Sequence, residues 1–332
     1  MAQPFEITAS IQQALQAIDQ GRAQIASLAI SSLQAERLRL RARVRAAHFT
    51  AWLDGYGLNA DEAAEVLIDG RKLPGREGEI RQLKRAYQAL EQIEAWAEAE
   101  SPLDEKNLCR LHAILASGRK SRPSKFRPDP AIPGRIDPLL SWLSQEQTPD
   151  VPPALLAGMA QFEINASQPF ADFNARLGRM LADWVLARSG YPLQRTAALE
   201  ESFAADLPAY QAAAALDEAT PWLEYFTARL AAAYAEAALQ ASQLNPAPIA
   251  PADTDETLPR PDARARRVLR LLAAQAEISV KDVRRILGVP PKAAGELLES
   301  WLQQGWLVKA GARYKMSGGL RTNFQQLVEQ DD

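Results

Sequence analysis

The chain of 332 residues is poor in the side chains that build metal-thiolate and disulfide sites. It has one cysteine, Cys109, and two histidines, His48 and His112. A zinc site made of Cys and His needs four such ligands, or three and a water, and the three available residues lie in two distant segments, which excludes that chemistry. A single cysteine also excludes a disulfide framework. No uninterrupted apolar run reaches the ~18 residues that a membrane span requires, and no charged n-region followed by an apolar h-region opens the chain. The expectation is a cytoplasmic protein with no membrane partner. The net charge of -3 argues against a surface built throughout to hold polyanions. Any nucleic-acid contact has to be local.

What is present describes an ordinary folding chain. The composition, 47% hydrophobic and 24% charged, can bury a normal core, and the length suggests at least two domains. From Ile11 to Ile68 apolar residues recur at three and four (Leu15, Ile18, Ile25, Leu28, Leu33), which predicts two or three helices. Arg37, Arg39, Arg41, Arg43 and Arg45 alternate with apolar residues at a strand period. Leu, Ala and Arg are strong helix formers, however, and no turn signal interrupts the run, so helix prevails. Arg37, Arg41 and Arg45 then share a face, either solvated and ion-paired or open to phosphate. Asn59 before Ala-Asp-Glu reads as the N-cap of a helix from Ala60 to Ile68.

Further helices are expected over Ile80 to Ala99, Asp104 to Ala116, Asp137 to Ser144, Pro153 to Ala166, Ala175 to Ser189 and Phe203 to Ala214. Thr220-Pro221 reads as an N-cap with proline at the first position of a helix from Trp222 to Leu239. The basic, Gly- and Pro-rich segment Ser117 to Pro133 reads as a loop or short hairpin. Five prolines between Asn245 and Pro261, with Asp253, Asp255 and Glu256, predict an extended linker. Beyond it, three short helices (Ala263 to Ala274, Val280 to Leu287, Lys292 to Gln304) precede a strand pair, Trp306 to Val308 and Tyr314 to Met316, about Ala310-Gly311-Ala312. That order describes a winged helix-turn-helix. Residues 260–332 carry 13 Lys and Arg against 8 Asp and Glu, and the rest of the chain 25 against 33, so the near-neutral total conceals a polarised chain. Arg284, Arg285, Lys292 and Arg313 are the candidates for contact with duplex DNA. The would-be recognition helix, with Lys292 against Glu296 and Glu299, is poor material for meeting phosphates.

Between two expected helices stands Glu163-Ile-Asn-Ala-Ser-Gln-Pro-Phe-Ala-Asp-Phe-Asn-Ala-Arg-Leu-Gly-Arg179. Pro169, Phe170, Asp172, Asn174, Arg176 and Arg179 fall, without a gap, on the pattern His-Pro-Phe-x-(Asp/Glu)-Gly-Asn-(Gly/Lys)-Arg-x-x-Arg, and the segment resembles the signature of the Fic (filamentation induced by cAMP) family. Flanking segments follow in the family's order. Ser124-Lys-Phe-Arg127 resembles the stretch ahead of its flap, Ile136 to Leu143 the helix after it, and Thr220 to Phe226 the closing helix. With the appended winged helix the resemblance spans roughly residues 30 to 320. It implies a mainly α fold: an N-terminal helical region (1–75), a Fic-like core with a short flap hairpin (76–242), a Pro-rich linker (243–261) and a winged helix-turn-helix (262–322).

The resemblance also implies chemistry. Family enzymes move a nucleoside monophosphate from ATP to a protein hydroxyl, which needs a base, a cation on the phosphates and donors for oxyanion charge. At the position of the family's histidine base stands Gln168, whose amide has no useful proton affinity near neutral pH. The glycines that let backbone N–H groups turn toward phosphates are replaced by Phe173 and Ala175, flanking Asn174. Asp172 occupies the family's Mg²⁺ position, and Arg176 and Arg179 the phosphate-binding positions. Thr50-Ala-Trp-Leu-Asp54-Gly55 fits the family's inhibitory helix with Asp for Glu, and the i, i+4 spacing sets Thr50 and Asp54 on one face for a pair with Arg179. The leading expectation is a Fic-fold protein without efficient nucleotidyl transfer, acting as a binding or regulatory protein with at most weak nucleotide binding. The alternatives are an active transferase of altered chemistry and a DNA-binding regulator. ATP and Mg²⁺ are the implied cofactors, with binding of neither as the other outcome, and the implied partners are an unidentified protein, duplex DNA and a second copy of the chain.

Overall fold

A computed structural model describes residues 3–28, 32–118, 121–144, 151–191 and 197–243, and toward the C-terminus 261, 265, 268–269, 272, 277–287, 289–318 and 320. The chain divides into two compact units, residues 1–28 with 38–242, and residues 29–37 with 243–332. The regular elements described in the first unit are all helices: α1 (Ala9–Ser27), α2 (Ser32–Trp52, of which 32–37 fall in the second unit), α3 (Ala60–Ala64), α4 (Glu77–Glu98), α5 (Glu105–Ser117), α6 (Pro133–Ser144), α7 (Pro153–Ser167), α8 (Asn174–Arg188), α9 (Leu199–Ala204), α10 (Leu207–Ala214) and α11 (Ala219–Gln243, whose last residue falls in the second unit).

Local chemistry sets the ends of these helices. Thr8 and Asp104 cap α1 and α5, each accepting from a backbone N–H three residues on. Asn59 and Glu62 form a reciprocal capping box at α3, which runs on as a π-helical turn, Glu65–Asp69, and stops at Gly70 with φ +69°. The expected helix from 203 to 214 is two helices, because Asp206 caps α10 and so breaks the run. α11 begins earlier than expected, at Ala219. Thr220 therefore lies inside the first turn, and its hydroxyl accepts from the Glu6 N–H at 3.0 Å instead of capping. The expected flap hairpin is a further correction: residues 121–132 hold no strand, and Arg127 N–H donates instead to Pro169 O at 3.0 Å. The arginine-rich run is helical as expected. Arg39 and Arg43 share Glu94, Arg45 pairs with Glu201, Arg41 is exposed, and the Arg37 side chain lies outside the described residues.

α7 and α8 form the centre of this unit. α7 is apolar on nearly every side and buried. Gly178 of α8 lets the two helices close up, since a Cβ there would stand 3.2 Å from Gln161 O. Trp184, Trp222, Phe203 and Phe226 fill the surrounding core, and Trp222 Nε1–H donates to Gly158 O at 2.8 Å. The loop between α7 and α8 is thereby held between two rigid elements.

In the second unit, helices Val280–Leu287 and Pro291–Gln303 precede strands β1 (Leu307–Ala310) and β2 (Arg313–Met316). The strands pair antiparallel from Leu307↔Met316 to Ala310↔Arg313 around Gly311, whose φ of +64° suits a two-residue turn. Ile278 joins Tyr314 by two backbone hydrogen bonds, of 2.9 and 2.8 Å. Trp301, Trp306, Leu298 and Val283 form a separate core. The expected linker (residues 244–260), most of the helix expected from Ala263, and the side chain of Arg285 lie outside the described residues.

Candidate active site

The loop from Gln168 to Phe173 carries two backbone positions in the left-handed region, Gln168 (φ +45°) and Phe173 (φ +53°). Gln168 ends α7 and Phe173 stands just before α8. Non-glycine residues enter this region at a cost, and bulky ones rarely. Phe173 thus occupies a position whose backbone suits glycine, whereas Ala175 lies inside α8 and bears no such strain. Asn174 knits the loop together. Its side chain accepts from Phe170 N–H at 2.9 Å and donates to Phe170 O at 2.8 Å and to Gln168 Oε1 at 3.1 Å. Gln168 Nε2 donates to Asn165 O at 2.7 Å, so the amide braces the loop at both of its polar ends. Arg127 clamps it from outside, donating to Gln168 O at 2.7 Å and Ser167 O at 3.4 Å.

Beneath the loop lies His112, which the motif gave no reason to single out. Its ring stacks on Phe170, with centroids 3.9 Å apart, and Nε2 lies 3.0 Å from Asp172 O. A carbonyl only accepts, so Nε2 carries the proton, and Nδ1 accepts from the Ser124 hydroxyl at 2.7 Å. Burial holds the His112 pKa below the ordinary value, against the opposing pull of Asp172. The Asp172 carboxylate is largely exposed and stands 3.4 Å from the ring. His112 is thus a neutral support for the loop. His48 is engaged elsewhere, its Nε2–H donating to Leu58 O at 2.7 Å.

The two motif arginines are both buried, and both turn to Asp54. Arg176 Nε–H donates to Asp54 Oδ2 at 2.5 Å, and Arg179 Nη2–H to Asp54 Oδ1 at 2.7 Å. Arg179 also donates to the Thr50 hydroxyl (3.0 Å), Thr50 O (3.1 Å) and Tyr210 Oη (3.2 Å). Arg176 donates to Gln82 Oε1 at 2.9 Å, and its guanidinium carbon lies 5.2 Å from the Phe173 ring centroid and 5.5 Å from that of Tyr56. Gln82 and Tyr210, on amphipathic helices, and Tyr56, in the loop after α2, are isolated residues that belong to no sequence motif. Gly55 turns the chain after α2, with φ +86° and open space around it.

Electrostatics favour this arrangement. Burial alone would raise the Asp54 carboxyl, but the two guanidinium groups outweigh it and hold the pKa below the carboxylate range. For Arg179 burial opposes the charge, yet Asp54 and Tyr210 prevail and hold it more firmly protonated than usual. For Arg176 burial prevails over the pull of Asp54, and Arg179 adds repulsion. Arg176 Nη2 is buried without a partner.

The fit to a nucleotide and Mg²⁺ follows from these contacts. One point suits a phosphate oxygen, the unpaired Nη2 of Arg176. The rest does not fit: Asp54 occupies both cations, Phe173 places a ring against Arg176, and Asp172 is a lone carboxylate, with no group of three or more His, Cys, Asp or Glu able to hold a metal among the described residues. Among the DNA candidates Arg284, Lys292 and Arg313 are exposed. No helix among the described residues is long and apolar enough to cross a membrane.

Comparison with known proteins agrees with the loop's pattern. Residues 102–186 match the model of the Fic/DOC family. Protein adenylyltransferase fic-1 of Caenorhabditis elegans is 22% identical over 175 residues, covering 46% of this chain and 34% of that protein. Protein adenylyltransferase Fic of Drosophila ananassae is 22% identical over 196 residues, covering 54% and 39%. The chain thus spans between a third and two fifths of the length of these relatives. Among solved structures, a Fic family protein from Desulfovibrio desulfuricans G20 superposes with a TM-score of 0.64 at 22% identity, over 96% of this chain and 99% of that one. A Fic domain containing signaling protein from Bacteroides thetaiotaomicron gives 0.56 at 18% identity, over 71% and 97%. These likenesses establish a shared, mainly helical fold, and the chain carries a Fic/DOC-family domain related at low identity to known Fic adenylyltransferases.

Proposed function

We propose that this protein is a Fic-fold binding or regulatory protein without efficient adenylyl transfer, its motif arginines held by its own inhibitory segment. One observation carries this reading: the Asp54 carboxylate gives one oxygen to Arg176 and the other to Arg179. In the family reading those guanidiniums serve phosphate, and each is already paired with the partly buried Asp54 carboxylate. Gln168 supplies no base and instead braces the loop, and general-base loss alone commonly costs about 10² to 10⁴ in rate. Phe173 stands where the anion cradle calls for glycine. Incubation with radiolabelled ATP and Mg²⁺, alone and with lysate, is expected to give no labelling above background. Robust labelling that depends on Asp172 overturns the proposal.

A second reading, an active transferase with another donor, rests on the unpaired Arg176 Nη2 and the exposed Asp172. Thermal-shift screening of nucleotides with Mg²⁺ in the parent and in Asp172→Asn separates the two: a ligand at 100 times Kd stabilises by about 2.7 kcal/mol, and the second reading requires a shift that is lost with Asp172. A third reading assigns the second unit to duplex DNA as a winged helix, on the exposed Arg284, Lys292 and Arg313 and the hairpin beside them. It requires salt-dependent retention of duplex DNA by the full chain, lost in the Arg284→Ala, Arg285→Ala double variant.

A further inference from the structure

α4 turns Gln82 toward the arginine pair, and along another face it borders an open cleft of about 780 Å³, within the roughly 300 to 1,000 Å³ typical of small-molecule sites. The cleft lies between this helix, the loop before it and the end of α5. Leu73, Pro74 and Ile80 give it an apolar floor, and Lys72, Arg81, Lys84 and Arg85 stand along it against a single acid, Glu77. The Glu77 carboxylate already accepts from Gly75 N–H at 3.1 Å. Lys72, Arg81 and Lys84 are exposed and Arg85 is half-buried, and none of the four has an ion pair or side-chain hydrogen bond among the described residues.

We propose that this cleft binds a small molecule carrying linked phosphate groups, either a free oligophosphate or the phosphate chain of a nucleotide, at a site separate from the Asp54-held arginines. Arg81, Lys84 and Arg85 fall at i, i+3 and i+4, so three cations share one helical turn. Like charges at this spacing repel: partial burial weakens the proton affinity of Arg85, and the Arg81 charge weakens it further. A dense anion removes that repulsion. Linked phosphates supply several charges within a few ångströms. An extended acidic peptide presents only alternate side chains to one surface, about 7 Å apart. The forked guanidiniums of Arg81 and Arg85 suit phosphate oxygens, and the Lys84 ammonium adds a point charge. The apolar floor offers contact area to the organic part of a nucleotide. Among the described residues no aromatic ring lines the cleft, so recognition rests on the phosphate chain rather than on base stacking.

The test is calorimetric titration of the full chain at low salt with tripolyphosphate and, in a second arm, with ATP. Both are expected to bind. Equal affinities assign recognition to the phosphate chain alone, and tighter ATP binding adds the floor; either supports the site. Arg81→Gln and Lys84→Gln, both at exposed positions, are each expected to weaken binding at least fivefold, whereas Lys84→Arg retains it, with thermal melts reporting that each variant folds. The proposal is overturned if neither anion binds, if the two Gln variants bind as the parent does, or if Asp54→Asn raises affinity while Arg81→Gln changes nothing, which would assign the anion to the motif arginines. It is equally overturned if an acidic Leu-containing peptide or duplex DNA binds through these cations more tightly than tripolyphosphate.

Discussion

Asp54 and Arg176 stand 122 residues apart in the chain, yet Arg176 Nε–H donates to Asp54 Oδ2 at 2.5 Å while Arg179 takes the other oxygen. A glutamate reaching from the same turn would arrive one methylene further in. The shorter aspartate sits where it bridges two guanidiniums at once, so the segment Thr50–Gly55 ties α2 to α8. On the function proposed above, with no base at position 168, that tie would act as internal support as well as a block on the arginines proposed to meet phosphate.

Removing one partner of a largely buried ion pair commonly costs about 3 to 5 kcal/mol, because the remaining charge is left uncompensated. Asp54→Ala is therefore expected to lower stability by roughly 3 kcal/mol, read from the urea midpoint, while raising affinity for inorganic phosphate or pyrophosphate at the freed arginines. Because the pairing depresses the Asp54 pKa, its stabilisation is complete above the ordinary carboxylate range and is lost as pH falls through the lowered value. The variant lacks that acid-side loss.

Phe173 and Phe170 make a contrasting pair. Phe170 is buried, stacked on His112, and sits in an ordinary backbone conformation. Phe170→Ala is expected to cost about 3 to 5 kcal/mol. Phe173 is half-buried and strained at φ +53°. Relief of that strain, on the order of 1 kcal/mol, offsets much of what the ring contributes, so Phe173→Gly is expected to change stability by less than about 1 kcal/mol. Denaturant midpoints of the two variants, measured side by side, check this ordering.

The reading of Gln168 leads to a rescue experiment. Gln168→His alone is expected to leave labelling from ATP at background, because Phe173 and the Asp54 tie remain. The variant that combines Gln168→His, Phe173→Gly and Ala175→Gly with Asp54→Ala restores base, cradle and free arginines together, and detectable auto-labelling is expected there first. Labelling by the single variant would show that the loop accepts nucleotide as it stands.

Parts of this molecule were legible from sequence for physical reasons. Asn59 announces its helix because a cap is a local interaction. The segment from Gln168 to Arg179 is legible because its residues are contiguous. The break between α9 and α10 does have a signal that the expectation of one helix overlooked: Asp206 caps α10 by accepting from Ala209 N–H, and Pro208 stands in its first turn. The flap was expected to pair with itself. Its backbone instead bonds to Pro169 O, a partner outside the local sequence. His112 was hidden for the same reason: its stacking on Phe170 and its bond to Asp172 O join segments 60 residues apart.

His112 makes a pH prediction of definite sign. Its folded pKa lies below the ordinary value of 6.5 because burial disfavours the imidazolium. The unfolded chain therefore binds the proton more readily, and stability falls as pH drops below about 6.5. His112→Gln removes this dependence, and comparing urea unfolding at pH 7.5 and 5.5 in parent and variant isolates it.

Glu200 works in the opposite direction. It is buried with its pKa raised to about 7, chiefly by desolvation, while the Arg179 charge pulls the other way. A carboxyl that keeps its proton in the folded state stabilises below its unfolded pKa of 4.5 and loses that contribution as pH rises toward 7. The loss is on the order of 1 to 3 kcal/mol across that interval. Glu200→Gln replaces the protonated carboxyl with a neutral amide of nearly equal shape. It is expected to leave stability at pH 5 within about 1 kcal/mol of the parent and to exceed the parent at pH 8. A variant that is destabilised equally at both pH values would mean that the Glu200 carboxylate is ionised in the folded protein and held by Arg179.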